Sequence, residues 1–397
     1  MTTDQKTVSD LFIAFNKKAK SEICTSGSTI HNCTRIPFSS PRANYVLYGG
    51  IPRGRIIEFA GDEGSGKTTT ALDVVKNAQT LFRDEWESEI YDLESREKLS
   101  KEQSSHLQML RERGPLKVLW IDCETTYDDE WAGIIGVDSD NMLFITPEDQ
   151  YAEEIFEMTL QLIETGEIGL VVNDSLGHMV SQQEMEKSIE DAVYGGIAKA
   201  LTKFSKKLAN ICKKTNCAYI GINQVRDNLN AGYGGPTVTT PGGKCWRHEC
   251  SVRLMFRKGT MFDEEFKDVK MSCENPYGHN VTFKRLKSKI SKNNRTNGFY
   301  TLTYTDGIEP LVDLISLAID LDIIHKSGAW FKFVDRHIDS ETGEVVESFL
   351  QREDEDGEVD DIKVQGQASL IPFLKDELNS YILEMITSAV DKIIYAK

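Results

Sequence analysis

No uninterrupted apolar stretch in these 397 residues approaches the length needed to cross a bilayer. The opening residues, MTTDQKTVSDLF, have neither the basic start nor the apolar run of a secretory leader, so a cytoplasmic protein is expected. The eight cysteines (Cys24, Cys33, Cys123, Cys212, Cys217, Cys245, Cys250, Cys273) contain no C-x-x-C pair and no zinc-like spacing with histidine. Reduced, mostly buried thiols follow. Internal repeats are absent. So is any excess of positive charge: 46 Lys and Arg face 63 Asp and Glu, a formal net charge of −17. Bulk charge therefore does not draw this chain to a polyanion, and any nucleic-acid binding must rest on where the bases sit. Acids gather in a mixed-charge stretch from Arg83 to Arg113 and in QREDEDGEVDD at 351–361. By contrast KRLKSKISKNNR, 284–295, carries Lys284, Arg285, Lys287, Lys289, Lys292 and Arg295 without an acid.

What is present is an alternation. RIIEFAG from Arg55, VLWID (118–122), LFIT (143–146), IGLVVNDS (168–175) and AYIGINQ (218–224) read as short apolar strands. Helical spacing falls between them, after Lys67, in EEIFEMTLQLIE and in GGIAKALTKFSKKLANICKK. Apolar strands alternating with helices predict a mostly parallel sheet with helices on both faces. CSVRLMFRKG, HNVTFKRLKSKI and FYTLTYTDG then predict antiparallel strands closing that sheet. The fold class is α/β, with a small α+β C-terminal lobe. Expected boundaries are an N-terminal segment over 1–35, a core over 36–308 with a charged insertion near 83–114, and a C-terminal lobe over 309–397 with an acidic insertion near 335–362. The amphipathic piece VSDLFIAFNKKAK needs a surface to cover Leu11, Phe12 and Phe15, either in its own domain or on a neighbouring copy.

The sharpest local signal is GDEGSGKT: Gly61, Asp62, Glu63, Gly64, Ser65, Gly66, Lys67 and Thr68, followed by Thr69. It fits G-x-x-x-x-G-K-[ST] between a strand and a helix, the context the pattern requires. Glycines let successive backbone N–H groups wrap phosphate, and the helix N-terminus favours negative charge. Lys67 supplies a cation to the β- and γ-phosphates of ATP, and Thr68 a hydroxyl to Mg2+. Asp174, ending LVVND, is the expected acid of the metal shell, with helix capping as its other reading. Glu124, just past VLWID, is the candidate base for the attacking water, and Asp122 its rival. Gln224 ends the following strand, where it can sense the γ-phosphate.

Together IPRGRIIEFAGDEGSGKTTT, WIDCET, VVNDS, INQVR, GGKCWRHECSVRL and FKRLKSKISKNN resemble the RecA recombinases, with phage-encoded members the closest match. GIEPLVDLISLAIDLDIIHKSGAWF and GQASLIPFLKDEL resemble that family's C-terminal lobe. The resemblance implies a P-loop RecA-type ATPase core from about Ile36 onward, with Glu124 as hydrolytic glutamate and Gln224 as sensor. It places Asp128 and Trp131 at the adenine, with core packing as the alternative for Trp131. It makes Lys287 and Lys289 cations that reach a neighbour's γ-phosphate; a solvated basic strand against DNA is the competing reading.

Two polar segments follow the sensing strands, one from about His178 to Gly195 and one from Arg226 to about Arg247. The second is Gly-rich, and loops of more than about fifteen residues inside a compact domain are usually functional. Lys199, Lys203 and Lys206 or Lys207 share a helix face, which is either a DNA contact or simply solvated. By resemblance Lys199, Lys206, Arg226 and Arg247 contact phosphate, while Tyr194 and Leu229 insert between stacked bases, a sequence-independent mode. The implied protein is a DNA-dependent ATPase that polymerises on single-stranded DNA, pairs it with homologous duplex and exchanges strands in recombination and repair. Its partners would be single-stranded DNA, double-stranded DNA, other copies of itself, and accessory proteins that bind single strands or load the filament, in a bacterial cell or a phage-infected host. A ring-shaped helicase on the same core and a non-catalytic, ATP-gated recombination mediator are the rivals. The chain departs from the family at His248, where an aromatic residue is common, at Asn173, in the charged insertion and in the added acidic segment.

Overall fold

The computed structural model describes residues 13–14, 16–18, 33–187, 196–227, 238–270, 272–291, 294–338, 345–353 and 358–395. The chain divides into two compact units, Met1–Thr34 and Arg35–Lys397. In the first, residues 13–14 and 16–18 are helical. Leu11, Phe12 and Phe15, which carried the expected N-terminal packing, lie outside the described residues.

The second unit opens with a short strand, Arg35–Ile36, paired with Ile51–Pro52; between them helix α1 (Pro41–Leu47) is started by proline in its first turn and by Ser40, whose side chain accepts the Ala43 N–H. Strand β1 (Ile56–Gly61) is buried throughout and feeds the long helix α2 (Lys67–Glu94). Helix α3 (Lys101–Arg113) starts at a capping box made by Ser100 and Gln103. There follow β2 (Lys117–Asp122), α4 (Asp129–Ile135), β3 (Met142–Ile145), α5 (Ala152–Glu164), β4 (Ile168–Asp174), α6 (Gly196–Thr215) and β5 (Ala218–Gln224). Helix α7 (Gly243–Glu249) leads to β6 (Val252–Phe262), β7 (Gly278–Ser288), β8 (Asn297–Thr303) and β9 (Gly307–Ile308).

These strands form one sheet in the order β9-β8-β7-β6-β1-β5-β4-β2-β3, with a short strand at Asp268–Val269 beside β6. The run from β1 to β3 is parallel, as the alternating pattern predicts. Strand β6 is antiparallel to β7, and β7 to β8, as expected; on its other side β6 runs parallel to β1 (Val252 opposite Ile57). The connection through α7 is long enough for a crossover, and a crossover returns the chain in the same direction.

Alternation along the strands fills two cores. Val118, Trp120, Leu170, Val172, Ile220 and Ile222 face α2, whose Val74, Val75, Ala78 and Phe82 cover them. Leu119, Ile121, Val171 and Tyr219 face α5 and α6, meeting Ile155, Phe156, Leu201, Phe204 and Leu208. Each such aliphatic or aromatic side chain stabilises the fold by roughly 1.5–3 kcal/mol. Helix α2 lies so close that a Cβ on Gly169 would sit 2.4 Å from the Phe82 ring. The charged insertion is a helical hairpin with its own seam: Leu93, Leu107 and Leu110 are buried, the half-buried Trp86 and Ile90 pack against them, and Trp86 Nε1 donates to the Leu110 carbonyl at 2.8 Å.

Beyond β9, helix α8 (Pro310–Asp320), strands β10 (Ile324–Ser327), β11 (Trp330–Ile338), β12 (Val345–Phe349) and β13 (Lys363–Gln365), and helices α9 (Gln367–Lys375) and α10 (Ser380–Ile394) surround a third cluster that includes Leu314, Phe331, Phe333, Leu370, Ile382 and Ile386. The acidic segment pairs as β11 with β12, then Gln351–Glu353 with Val359–Asp361. Asp313 of α8 is fully buried; Ser40 donates to it, and the Arg42 N–H reaches it at 3.3 Å. Among the described residues no helix is long and apolar enough to cross a membrane.

Candidate nucleotide and DNA site

The phosphate loop occupies the turn between β1 and α2. Gly64 and Gly66 have φ of +66° and +87°, which a side-chain-bearing residue rarely adopts. A Cβ at Gly64 would meet nothing within 4 Å, so this turn presents bare backbone to an open crevice. Gly61 is tight for a different reason: a Cβ there would come within 2.6 Å of the Phe256 carbonyl. The Asp62 carbonyl accepts both Ser65 Oγ (2.6 Å) and Lys67 Nζ (2.7 Å), folding the ammonium back over its own loop. Burial lowers the Lys67 pKa, and Asp174, Glu124, Asp62 and Glu63 oppose that shift. A cavity of about 380 Å³ adjoins the loop, lined by residues from Gly64 to Thr69 and by Trp131, His279, Leu302 and Tyr304. That volume suits a small-molecule site.

The C-terminal strand tips bring three acids to this crevice. Asp122 and Asp174 are register partners on β2 and β4. Thr68 Oγ1 donates to Asp174 Oδ2 at 2.8 Å. Burial, with Glu124 and Asp122 nearby, pushes Asp174 up to about 6 despite that bond and Lys67. The Thr68 hydroxyl and an under-compensated carboxylate are hard oxygen donors of the kind a divalent cation takes. Among the described residues no group of three or more His, Cys, Asp or Glu side chains could hold a metal alone.

Asp122 is spent elsewhere. Its two oxygens accept the Thr126 N–H (3.2 Å) and the Tyr127 N–H (3.0 Å), fixing the turn after β2. Inside that turn Thr125 holds φ +55°, a strained value for a β-branched residue and of a kind found near functional groups. Glu124 projects from the same turn. Its Oε1 accepts Ser175 Oγ and lies 2.7 Å from His178 Nδ1. The Asp174–Ser175 peptide is cis. Gln224 is the register partner of Gly61, which sets the end of β5 beside the start of the phosphate loop.

Asp128 caps α4 by accepting the Trp131 N–H at 3.0 Å, and Trp131 Nε1 donates to Thr69 Oγ1 at 3.3 Å. His279, Leu302 and Tyr304 line the same cavity as Trp131, and the sequence reading missed them. His279 Nδ1 pairs with the Tyr304 hydroxyl at 3.0 Å; its buried Nε2 has no partner among the described residues. Burial, aided by Lys258, lowers the His279 pKa to about 4, so the ring is neutral. The usable signal was the β7–β8 pairing that sets His279 opposite Leu302, which strand periodicity does not reveal.

Lys287 Nζ donates to the carbonyls of Arg247 and His248, each at 2.7 Å, and so caps α7. Burial, then neighbouring Lys289, lowers its pKa. Among the described residues neither lysine lines the phosphate-loop cavity of its own chain. Lys199, Lys203, Lys206 and Lys207 are exposed on α6, where Lys207 pairs with Glu157 at 3.3 Å. Arg226 is exposed; its segment pairs with Val238–Thr239, closing the base of the second polar segment. Arg247 Nε donates to the Gly243 carbonyl at 3.2 Å, and His248 is exposed. Tyr194 and Leu229 lie outside the described residues. Beneath this surface sits the fully buried Glu58 of β1, which no sequence pattern singled out. It accepts Asn223 Nδ2 (2.8 Å), Trp246 Nε1 (2.9 Å) and Arg253 Nε, joining β5, α7 and β6.

A phosphate loop feeding α2, with carboxylates at the tips of neighbouring parallel strands, defines a P-loop nucleotide-binding core. The model of the RecA N-terminal domain family matches residues 22–83 and 87–309. The chain is similar to the protein RecA of Ruminococcus albus, with 32% identity over 305 residues, which is 76% of this chain and 64% of that relative. RecA of Aquifex aeolicus is 32% identical over 322 residues (81% of this chain, 80% of the relative), and RecA of Fusobacterium nucleatum 33% over 309 (77% and 70%). The chain belongs to the RecA family.

Proposed function

We propose that this protein is an ATP-dependent DNA recombinase that assembles on single-stranded DNA and hydrolyses ATP in response to it. The observation that carries the reading is the convergence of Lys67, the Thr68–Asp174 pair and Glu124 in one crevice. The loop amides and Lys67 bind the β- and γ-phosphates. Thr68 and Asp174 would hold Mg2+, which when bound supplies positive charge to the phosphate oxygens. Glu124 takes a proton from the attacking water, and Gln224 reports the γ-phosphate to the segment beyond β5. Asp128 and Trp131 meet the adenine. Lys287 and Lys289 serve the γ-phosphate of an adjacent copy, so that turnover depends on assembly, by the same logic as a finger residue supplied in trans.

The lysine face of α6, with Arg226 and Arg247, holds the DNA backbone, and Tyr194 and Leu229 separate groups of bases. Homologous duplex is the second substrate, and base pairing itself supplies the sequence test. The N-terminal segment packs on a neighbouring copy, a heterologous contact that propagates as a helix. A cytoplasmic location and help from loading proteins belong to the same reading.

The test is electron microscopy of the protein with single-stranded DNA and a slowly hydrolysed ATP analogue, followed by a strand-exchange assay. Filaments and exchanged product are expected. A protein that stays monomeric, or that turns ATP over equally fast without DNA, would overturn the proposal.

A further inference from the structure

Glu124 is held by more than its own turn. Oε1 accepts the Ser175 hydroxyl and faces His178 Nδ1 at 2.7 Å, and the Ser175 oxygen lies 3.0 Å from the same Nδ1. The three side chains form a closed triangle around one carboxylate oxygen. Ser175 is fixed independently: it is wholly buried and follows Asp174 directly. His178 ends the short 3-10 turn Leu176–His178, and its N–H bonds the Ser175 carbonyl at 3.2 Å. The ring is partly exposed, at 44% of its side-chain surface, against 22% for Glu124. The imidazole is therefore not core packing. Its contact with Glu124 is polar and directional, and it lies where the chain leaves β4 for the first polar segment.

We propose that His178 is a positioning residue for hydrolysis: with Ser175 it clamps Oε1 of Glu124 and leaves Oε2 to receive the proton of the attacking water. This rests on the reading of Glu124 as the hydrolytic base. Facing a carboxylate, Nδ1 carries the proton and donates, so the clamp needs a donor at the Nδ1 position and not merely a ring. A flexible glutamate must be oriented at each turnover, and misplacement by about 1 Å is enough to reduce a rate by about a hundredfold. His178 stands at the start of the first polar segment, so the clamp joins the beginning of that segment to the hydrolytic group.

The test compares His178→Ala, His178→Asn and Glu124→Gln in the full-length protein, measuring DNA-stimulated ATP turnover, KM for ATP, and single-stranded DNA affinity with a slowly hydrolysed analogue. His178→Ala should lower kcat by roughly 10- to 100-fold, with KM and DNA affinity within about twofold of the parent. Asparagine, whose side-chain amide offers a donor near the Nδ1 position, should restore most of the loss. An unchanged kcat in His178→Ala, a rise in KM that accounts for the loss, or no rescue by asparagine would overturn the positioning role. Glu124→Gln separates the two ideas. If it is inactive while His178→Ala is normal, only the clamp fails; if it turns over ATP normally, the reading of Glu124 fails and the clamp with it.

Discussion

Glu58 and Asp174, buried carboxylates on β1 and β4, are treated in opposite ways. Glu58 is surrounded by donors from three elements, Asn223, Trp246 and Arg253, and both of its oxygens are engaged. Among the described residues Asp174 has a single hydroxyl partner, and burial, with Glu124 and Asp122 close by, raises its pKa. A buried charge that is fully paired is scaffold, because its worth is realised on folding. One left short of positive charge at a strand tip is poised for something that arrives later. The two lie on the same parallel sheet with β5 between their strands: Glu58 ties β1 to β5, β6 and α7, while Asp174 ends β4 at the crevice.

Two substitutions should separate these roles most sharply. Lys67→Ala removes a desolvated ammonium whose hydrogen-bond partner among the described residues is one carbonyl of its own loop, so little folding energy depends on it. ATP turnover should fall by about a thousandfold, while the urea unfolding midpoint stays near the parent value. Glu58→Ala should do the reverse. It strands the Arg253 guanidinium, whose side chain is 14% exposed, together with the buried donors of Asn223 and Trp246. A loss of about 3–5 kcal/mol is expected in denaturant unfolding. If Glu58→Ala unfolds like the parent, Glu58 is not the brace described here.

The poised half of the comparison was largely legible in the sequence, because it is local. GDEGSGKT, the residues just past VLWID and the acid ending LVVND lie at strand ends, and strand ends in a parallel sheet converge. The scaffold half was not. Glu58 looks like a polar interruption in an apolar strand until Asn223, Trp246 and Arg253 are seen to meet it across 165 to 195 residues of sequence. His279 and Tyr304 were hidden for the same reason, since their place beside the phosphate loop depends on pairing between β7 and β8. The parallel pairing of β6 with β1 was not legible, because strand periodicity carries no sense of direction. Asp122 could have been set aside earlier: an acid four or five residues before turn amides is a natural acceptor for them, as the Thr126 and Tyr127 bonds demonstrate.

Asp313 offers a third, intermediate case. It is buried at the start of α8, bonded by Ser40 and by the Arg42 backbone, with Arg42 Nε 3.8 Å away. Burial nevertheless pushes it up to about 7 from 3.8. A carboxyl whose folded pKa lies above its unfolded value favours the protonated folded form. As pH rises from about 4 to about 7 the unfolded chain ionises first, so this group's contribution to stability falls across that window and is level above it. Asp313→Asn should therefore gain on the parent protein as pH rises, by at most a few kcal/mol. The measurement is the difference in unfolding free energy between the two proteins at several pH values, which cancels the titration of other groups such as His279. A difference independent of pH would mean that Arg42 keeps Asp313 ionised, making it a paired charge like Glu58.

The smallest effect tests whether the same distinction holds among cations on the surface. Lys199 and Lys207 lie on one exposed helix, α6, but Lys207 already meets Glu157 at 3.3 Å, whereas Lys199 has no ion pair among the described residues. A lysine that contacts phosphate displaces a counterion from the strand, and each such contact adds about −0.7 to the slope of log affinity against log salt for single-stranded nucleic acid. Lys199→Ala should therefore make that slope shallower by about 0.7, while Lys207→Ala should change it by less, since Glu157 competes for its charge. The affinities are measured by titration over a range of salt with a slowly hydrolysed ATP analogue present. Equal slopes for the parent and Lys199→Ala would remove this face of α6 from the DNA path, and an equal loss in both variants would mean that Glu157 releases Lys207 when DNA binds.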